Sequence, residues 1–311
     1  DLPDVEVVSL VEVSMTDEDL EVLKTLPNLR EVRLYSYSTT GQVFEFTDRA
    51  CDIVGELGGL RRLTLMLAKV TDRGVRQLSG LENLQELAIS GVSDGGMSAL
   101  SSFKNLEFLT LSGSFSDTGV AQLASLKRLN VLALASNNPS FGTRDLAVLS
   151  ELPQLDTLEL SGRNVGPAAF RALESVSQIR ELKITRIRPR QDSMASLARL
   201  PNLEVLRFEN VHLTDADLEQ LKGSKSLKRL EIDCGSVSDR PITDAGIAAI
   251  AAIENLESLV LRSVPISSRA ARYLWSMRQL KSVGFGGIII SDDDLHKLKA
   301  RRRDLRIESV Y

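Results

Sequence analysis

The chain has 311 residues, of which 43% are apolar and 26% charged, with 5% aromatic and a formal net charge of -4. That length is ample for a large core, and the acidic balance excludes the basic face that nucleic-acid binding demands. No run of about 18 apolar residues is present to span a membrane, and the chain opens at Asp1 without a charged-then-apolar leader, so any signal is expected to be removed or absent.

Taken in chain order, the apolar pattern begins loosely at Val5 (VEVVSL). It then returns as L-x-x-L-x-L at Leu29 (LREVRL), Leu60 (LRRLTL), Leu84 (LQELAI), Leu106 (LEFLTL), Leu129 (LNVLAL) and Leu155 (LDTLEL). Further copies start at Ile179 (IRELKI), Leu203 (LEVLRF), Leu227 (LKRLEI), Leu256 (LESLVL) and Leu280 (LKSVGF), with a truncated last strand within 304–311. Most intervals are 22 to 26 residues, so the sequence predicts one solenoid domain over 1–311 with about twelve repeats. Each copy opens with strand-like alternation and then carries apolar residues every three positions, as at Leu20/Leu23/Leu26, Val75/Leu78/Leu81 and Leu146/Leu149/Leu152. That change of period predicts strand, turn, helix and return.

An acid follows Ser or Thr at the strand-to-helix junction: Thr16-Asp17, Thr47-Asp48, Thr71-Asp72, Ser93-Asp94, Ser116-Asp117, Thr214-Asp215, Thr243-Asp244 and Ser291-Asp292. The hydroxyl is expected to cap the helix and the carboxylate to meet the positive end of its dipole. Asp19, Asp217 and Asp294, three residues beyond the hydroxyl, complete short-acid capping boxes. Recurring once per repeat, these acids read as helix starts and not as a metal site. Asn28, Asn83, Asn105, Asn202 and Asn255 precede the next strand, where the expectation is a left-handed residue closing each helix.

These residues resemble leucine-rich-repeat proteins of the helix-backed kind with a T-D-x-x-L junction. LTLMLAKVTDRGVRQLSGL is similar to bacterial repeats and to the cysteine-containing subtype of F-box receptors, and TDAGIAAIAAIENL to the GALA type. The resemblance implies an α/β horseshoe with a parallel sheet on the concave face and helices on the convex one. In such a stack Cys51 and Cys234 are separated by about 38 Å of sheet at about 4.8 Å per strand, which predicts two free thiols and leaves the compartment, cytoplasmic or extracytoplasmic, open.

Signs of chemistry are sparse. His212 and His296 have no partner at zinc-ligand spacing, and GFGG at 284–287 reads as strand positions and not as a dinucleotide fingerprint. No enzyme, metal or cofactor is expected. The informative positions are the third, fifth and seventh of each repeat, which face solvent. They give a charged ladder of Glu159, Glu181, Lys183, Arg207, Glu209, Arg229, Glu231, Asp233 and Arg262, and toward the N-terminus Tyr35, Arg62, Met66 and Phe108. Two readings of this face stand side by side: charges that pair with each other, or a partner surface with aromatic anchors and charge-coded specificity. Tyr37 in the long insertion YSYSTTGQVFEF, and Arg163 with the basic run TRIRPRQ, extend the list of candidate contacts.

Three further expectations concern the ends and the helix side. Tyr273 and Trp275 are expected to pack against the next helix, RRRD at 301–304 to form a polar finish, and VEVVSLVEV at 5–13 to need cover from upstream sequence or self-association. The function these readings support is recognition of a protein or peptide. The alternatives are the substrate-recognition part of a larger effector or ubiquitin-ligase-type protein, and a glycan or small-ligand sensor.

Overall fold

Alternating Leu and polar residues can bury one face of a strand and leave the other wet, and the chain does this once per repeat. A computed structural model describes residues 4–309, apart from 12–14, 36–45, 68, 144–145, 188, 190–192, 236–241, 265–266 and 288–289. Tyr37, Phe44 and most of the two long insertions lie outside the described residues. The fold divides into two compact units, Asp1–Leu155 and Asp156–Tyr311.

The first unit holds β1 (Val7–Val11), β2 (Glu31–Tyr35), β3 (Arg62–Met66), β4 (Glu86–Ser93), β5 (Phe108–Ser114) and β6 (Val131–Ser136). Each strand pairs in parallel with the next, and equivalent repeat positions stand side by side, as in Leu34↔Leu65 and Leu109↔Leu132. The second unit repeats the scheme with β7 (Thr157–Ser161), β8 (Glu181–Thr185), β9 (Val205–Glu209), β10 (Arg229–Asp233), β11 (Ser258–Arg262), β12 (Ser282–Gly286) and β13 (Arg306–Ser309). The first, fourth and sixth positions of the repeats form the core; Leu60, Leu84, Leu158, Leu206 and Leu259 are fully buried. Among the described residues a register shift comes between Ser90 and Val92. There Gly91 takes φ +81 with the Val70 carbonyl oxygen 2.2 Å from where a Cβ would stand, so only glycine fits.

The return segments are α1 (Asp48–Val54), α2 (Asp72–Gln77), α3 (Asp94–Leu100) and α4 (Asp117–Val120) in the first unit. In the second they are α5 (Pro167–Leu173), α6 (Ser193–Ala198), α7 (Asp215–Leu221), α8 (Asp244–Ala251), α9 (Ser268–Ser276) and α10 (Asp292–Arg301). Glu18–Thr25, Leu78–Gly80, Ala121–Ser125 and Ala147–Glu151 are 3₁₀ segments instead. The strict three-residue spacing of Leu20/Leu23 and Leu146/Leu149/Leu152 suits a helix of three residues per turn, which keeps those leucines in one row.

The junction hydroxyls cap as expected: Thr47, Thr71, Ser93, Ser116 and Thr243 each accept from the amide two residues on. Thr214 and Asp217 form a reciprocal capping box, and Ser291 accepts from the Asp294 amide. Thr16 is the exception; the first 3₁₀ segment starts from Asp17 without a side-chain cap, and the Thr16 amide donates to Asp19. The neighbouring carboxylates do more than face a dipole. Asp17 accepts from the amide and hydroxyl of Thr47, Asp48 from Thr71, Asp72 from Ser93 and Asp94 from Ser116, at 2.5 to 3.0 Å. Asp117 takes the Gly142 amide at 2.6 Å, and Asp215 takes Thr243 in the second unit. Each carboxylate except Asp117 thereby orients the hydroxyl that caps the next helix. The glycine of T-D-x-G makes room for it: a Cβ on Gly74, Gly96, Gly119 or Gly246 would stand 2.3 to 2.6 Å from the preceding repeat's Asp oxygen.

The asparagines are a correction. Among the described residues the non-glycine positive φ values belong to Arg186, Asn210 and Ser263, all just past a strand, and not to the asparagines of the returns. Their work is done by the side-chain amide, which donates to the carbonyl of the previous return: Asn83 to Gly58, Asn105 to Glu82, Asn202 to Ser177 and Asn255 to Lys225, at 2.7 to 2.9 Å. A side-chain stitch satisfies an open carbonyl that a left-handed turn would otherwise serve.

Candidate functional site

The solvent positions of each strand form rows across the sheet, because the parallel register sets equivalent residues side by side. In the second unit these rows are ionic. Lys183 on β8 reaches Glu159 on β7 at 3.1 Å and Glu209 on β9 at 3.0 Å. Arg207 pairs with Glu181 and, at 2.9 Å, with Glu231, which also accepts from Arg229 at 2.7 Å and lies 3.7 Å from Arg262. Asp233 turns instead to the Gly235 amide at 2.8 Å. Burial pushes the Glu231 carboxyl up, but the Arg207 and Arg229 guanidiniums outweigh it and hold it below the usual range. Burial likewise pushes Lys183 down, and its two glutamates return it to above the ordinary lysine value. The ladder thus satisfies itself, strand to strand, which favours the self-pairing reading for these residues.

The first unit differs. Across β2 to β6 the middle row reads Arg33, Thr64, Ala88, Thr110 and Ala133, with Tyr35 and Met66 on one flank and Phe108 and Val131 on the other. Phe108 is 43% exposed, the largest open aromatic surface among the described residues. Glu31, which the sequence reading passed over, is the centre of the charged end. It is 3% exposed, pairs with Arg33 on its own strand, and binds Arg62 across the strand at 2.5 Å. The hydrogen bond Arg62 donates to Glu31 raises the Arg62 pKa above its ordinary value. The available signal was acid and base at the same position of adjacent repeats, the cross-strand pairing rule.

The remaining candidates scatter. Arg163 is exposed in the turn after β7, off the strand rows, and of the basic run 188 and 190–191 lie outside the described residues. Trp275 packs against the following helix as expected, with the Arg301 guanidinium 4.6 Å from its ring. Of the polar finish at 301–304, Arg301, Arg303 and Asp304 are exposed, whereas Arg302 is buried and donates to the carbonyls of Met277 and Leu280 at 2.6 and 2.7 Å while holding Asp304. At the other end Val7 and Val11 on β1 are 46% and 43% exposed.

Conventional chemistry finds little to work with. His296 lies against the Asp292 carbonyl, and among the described residues no three His, Cys, Asp or Glu side chains gather as a metal site. Cys51 and Cys234 are both free thiols, and burial pushes them up to about 12 and about 11, values that keep them protonated and unreactive. Among the described residues no helix is long and apolar enough to cross a membrane.

No protein-family model and no curated protein matches the sequence. Solved structures do resemble the fold. One is an internalin (inlF) from Listeria monocytogenes, 19% identical with a TM-score of 0.54 over 95% of this chain and 89% of that one. Another is TLR13 in its complex with ssRNA13, 18% identical with a TM-score of 0.58 over 92% of this chain and 40% of that one. With its parallel strands and backing helices, the chain has the α/β leucine-rich-repeat solenoid fold.

Proposed function

We propose that the protein is a non-enzymatic recognition module, built from bacterial-type helix-backed repeats, that binds a protein or peptide through the solvent face of its strands. The observation that carries this reading is the in-register grid of solvent side chains in each unit. Packing fixes the leucines, whereas the grid positions change from repeat to repeat on a rigid parallel support, the arrangement solenoids use for extended binding surfaces. The net charge of -4 argues against nucleic acid as the partner.

The test compares proteins captured by the wild type with those captured by Ala88→Arg/Ala133→Arg, by Thr185→Arg, and by the helix-side control Arg171→Glu, after each variant's melting is checked. A partner kept by the control and lost on either sheet-face variant supports the reading. A partner kept by both sheet-face variants overturns it.

A further inference from the structure

Two guanidinium groups on the first unit share one carboxylate. Arg33 and Arg62 are 46% and 44% exposed, while the Glu31 side chain between them is 4% exposed. Arg33 uses Nη2 and Arg62 uses Nε and Nη2 on that carboxylate, and among the described residues neither has another carboxylate partner. Glu86, the register neighbour of Arg62 on β4, and Glu6 act on Arg62 by charge alone. Arg30 and Arg61 stand just before β2 and β3, with Arg30 donating to the Gly59 carbonyl at 3.2 Å. The contrast with the second unit decides what this means. There each cation of the middle row has two glutamates, so no positive charge is left over. Here a buried glutamate fixes two side chains in place and leaves their outer N–H groups directed to solvent, a ready acceptor-seeking pair. Next to them lies a low floor of Ala88 and Thr110, with Glu86 in the row between Arg62 and Phe108; Phe108 stands two strands from Arg62, or about 10 Å at about 4.8 Å per strand.

We propose that the solvent face of β2 to β5 docks an extended acidic peptide segment. Its carboxylate is taken by Arg33 and Arg62, and an apolar side chain about 10 Å away lies over Ala88 and Thr110 against Phe108, a separation about three residues of extended chain covers. The inference rests on the sheet-face reading above and narrows it to one partner chemistry. The aromatic anchor supplies apolar contact and the paired arginines supply charge selection.

The experiment pans a random dodecapeptide display library against the whole chain. The expected result is enrichment of peptides with Asp or Glu a few residues from a large apolar side chain. A synthetic peptide from that set should lose about tenfold or more in affinity, roughly one strong charged contact, on Arg33→Gln and on Phe108→Ala. Because Arg62→Gln leaves the buried Glu31 with Arg33 alone, the double variant Glu31→Gln/Arg62→Gln provides the second arginine test with the buried charge removed. Three outcomes overturn the proposal: no enriched peptide, enriched peptides without an acidic preference, or binding unchanged in the arginine variants with melting intact. If such peptides are still lost on Ala88→Arg/Ala133→Arg or on Thr185→Arg, the sheet-face reading survives and only the acidic chemistry falls. Displacement of the peptide by a single-stranded RNA oligomer would transfer the site to nucleic acid and overturn the peptide assignment.

Discussion

The two units spend their carboxylates differently. In the first, aspartates stand at the strand-to-helix junction and bond the hydroxyl and amide of the next repeat through four successive junctions, Asp17 to Ser116, before Asp117 reaches the Gly142 amide. In the second, the junction bond recurs at Asp215 with Thr243 and Asp244 with Ser267, but α5 begins with Gly166 and Pro167 and no hydroxyl, and glutamates on the sheet bond arginine and lysine across strands. A carboxylate on backbone amides and hydroxyls fixes a helix start. A carboxylate on long cations neutralises a face. The first unit is thus tied together at its edge, which leaves its sheet face available for other residues.

The largest way to break this contrast is at the junction. Asp72→Ala removes two bonds and leaves the Ser93 amide without its acceptor, an expected loss of about 2–3 kcal/mol in urea unfolding. Asp293→Ala, whose acid pairs with the exposed Lys297, should fall within about 0.5 kcal/mol; equal losses would remove the distinction. On the sheet, Glu231→Gln leaves three arginines facing a neutral group and is expected to cost about 1–2 kcal/mol, against about 0.5 or less for the more open Glu159→Gln.

Acid sharpens the same comparison. The folded Glu231 carboxyl lies below its unfolded value, so its contribution is present above about pH 4.3 and is lost as pH falls through the lower folded value. The penalty of Glu231→Gln, measured by denaturation from pH 6 downward, should therefore shrink toward zero as the wild-type group takes up its proton. A constant penalty would mean that lost packing and not charge is responsible.

A further pair of substitutions tests whether Gly96 is dictated by its neighbour. Gly96→Ala should destabilise by about 1–3 kcal/mol because its Cβ meets Asp72 Oδ1. In the Asp72→Ala background the same change should turn neutral or stabilising by up to about 1 kcal/mol, the helix preference for alanine. Smallest of all, neither thiol should react with a disulfide reagent at pH 8 until the chain is denatured, since burial keeps both protonated.

Much of this was legible in the residues. Leu at the first, fourth and sixth positions specifies a half-buried strand whatever surrounds it, and Thr214 with Asp217 specifies a capped helix start, since each depends on groups a few residues apart. The charged ladder was legible as a list, and Lys183 and Arg207 do lie between acids. Glu31 was missed because its importance comes from burial between Arg33 and Arg62, the latter on another strand. The asparagine stitches were misread for the same reason: a left-handed turn is a local explanation, and the observed bond goes to a carbonyl more than twenty residues away.

The sequence by itself determined the repeat, the strand-and-return alternation, the hydroxyl caps and the residues offered to solvent, because local spacing and periodicity carry all of these. Only the tertiary structure decided what each charge does. Stacking repeats in register turned Asp72 into a clamp on Ser93, Asn83 into a stitch to Gly58, and Glu231 into the neutraliser of its arginines, and it left Arg33 and Arg62 with one carboxylate between them. The physical reason is that hydrogen bonds and ion pairs act over about 3 Å, and only the fold brings residues so far apart in the chain that close.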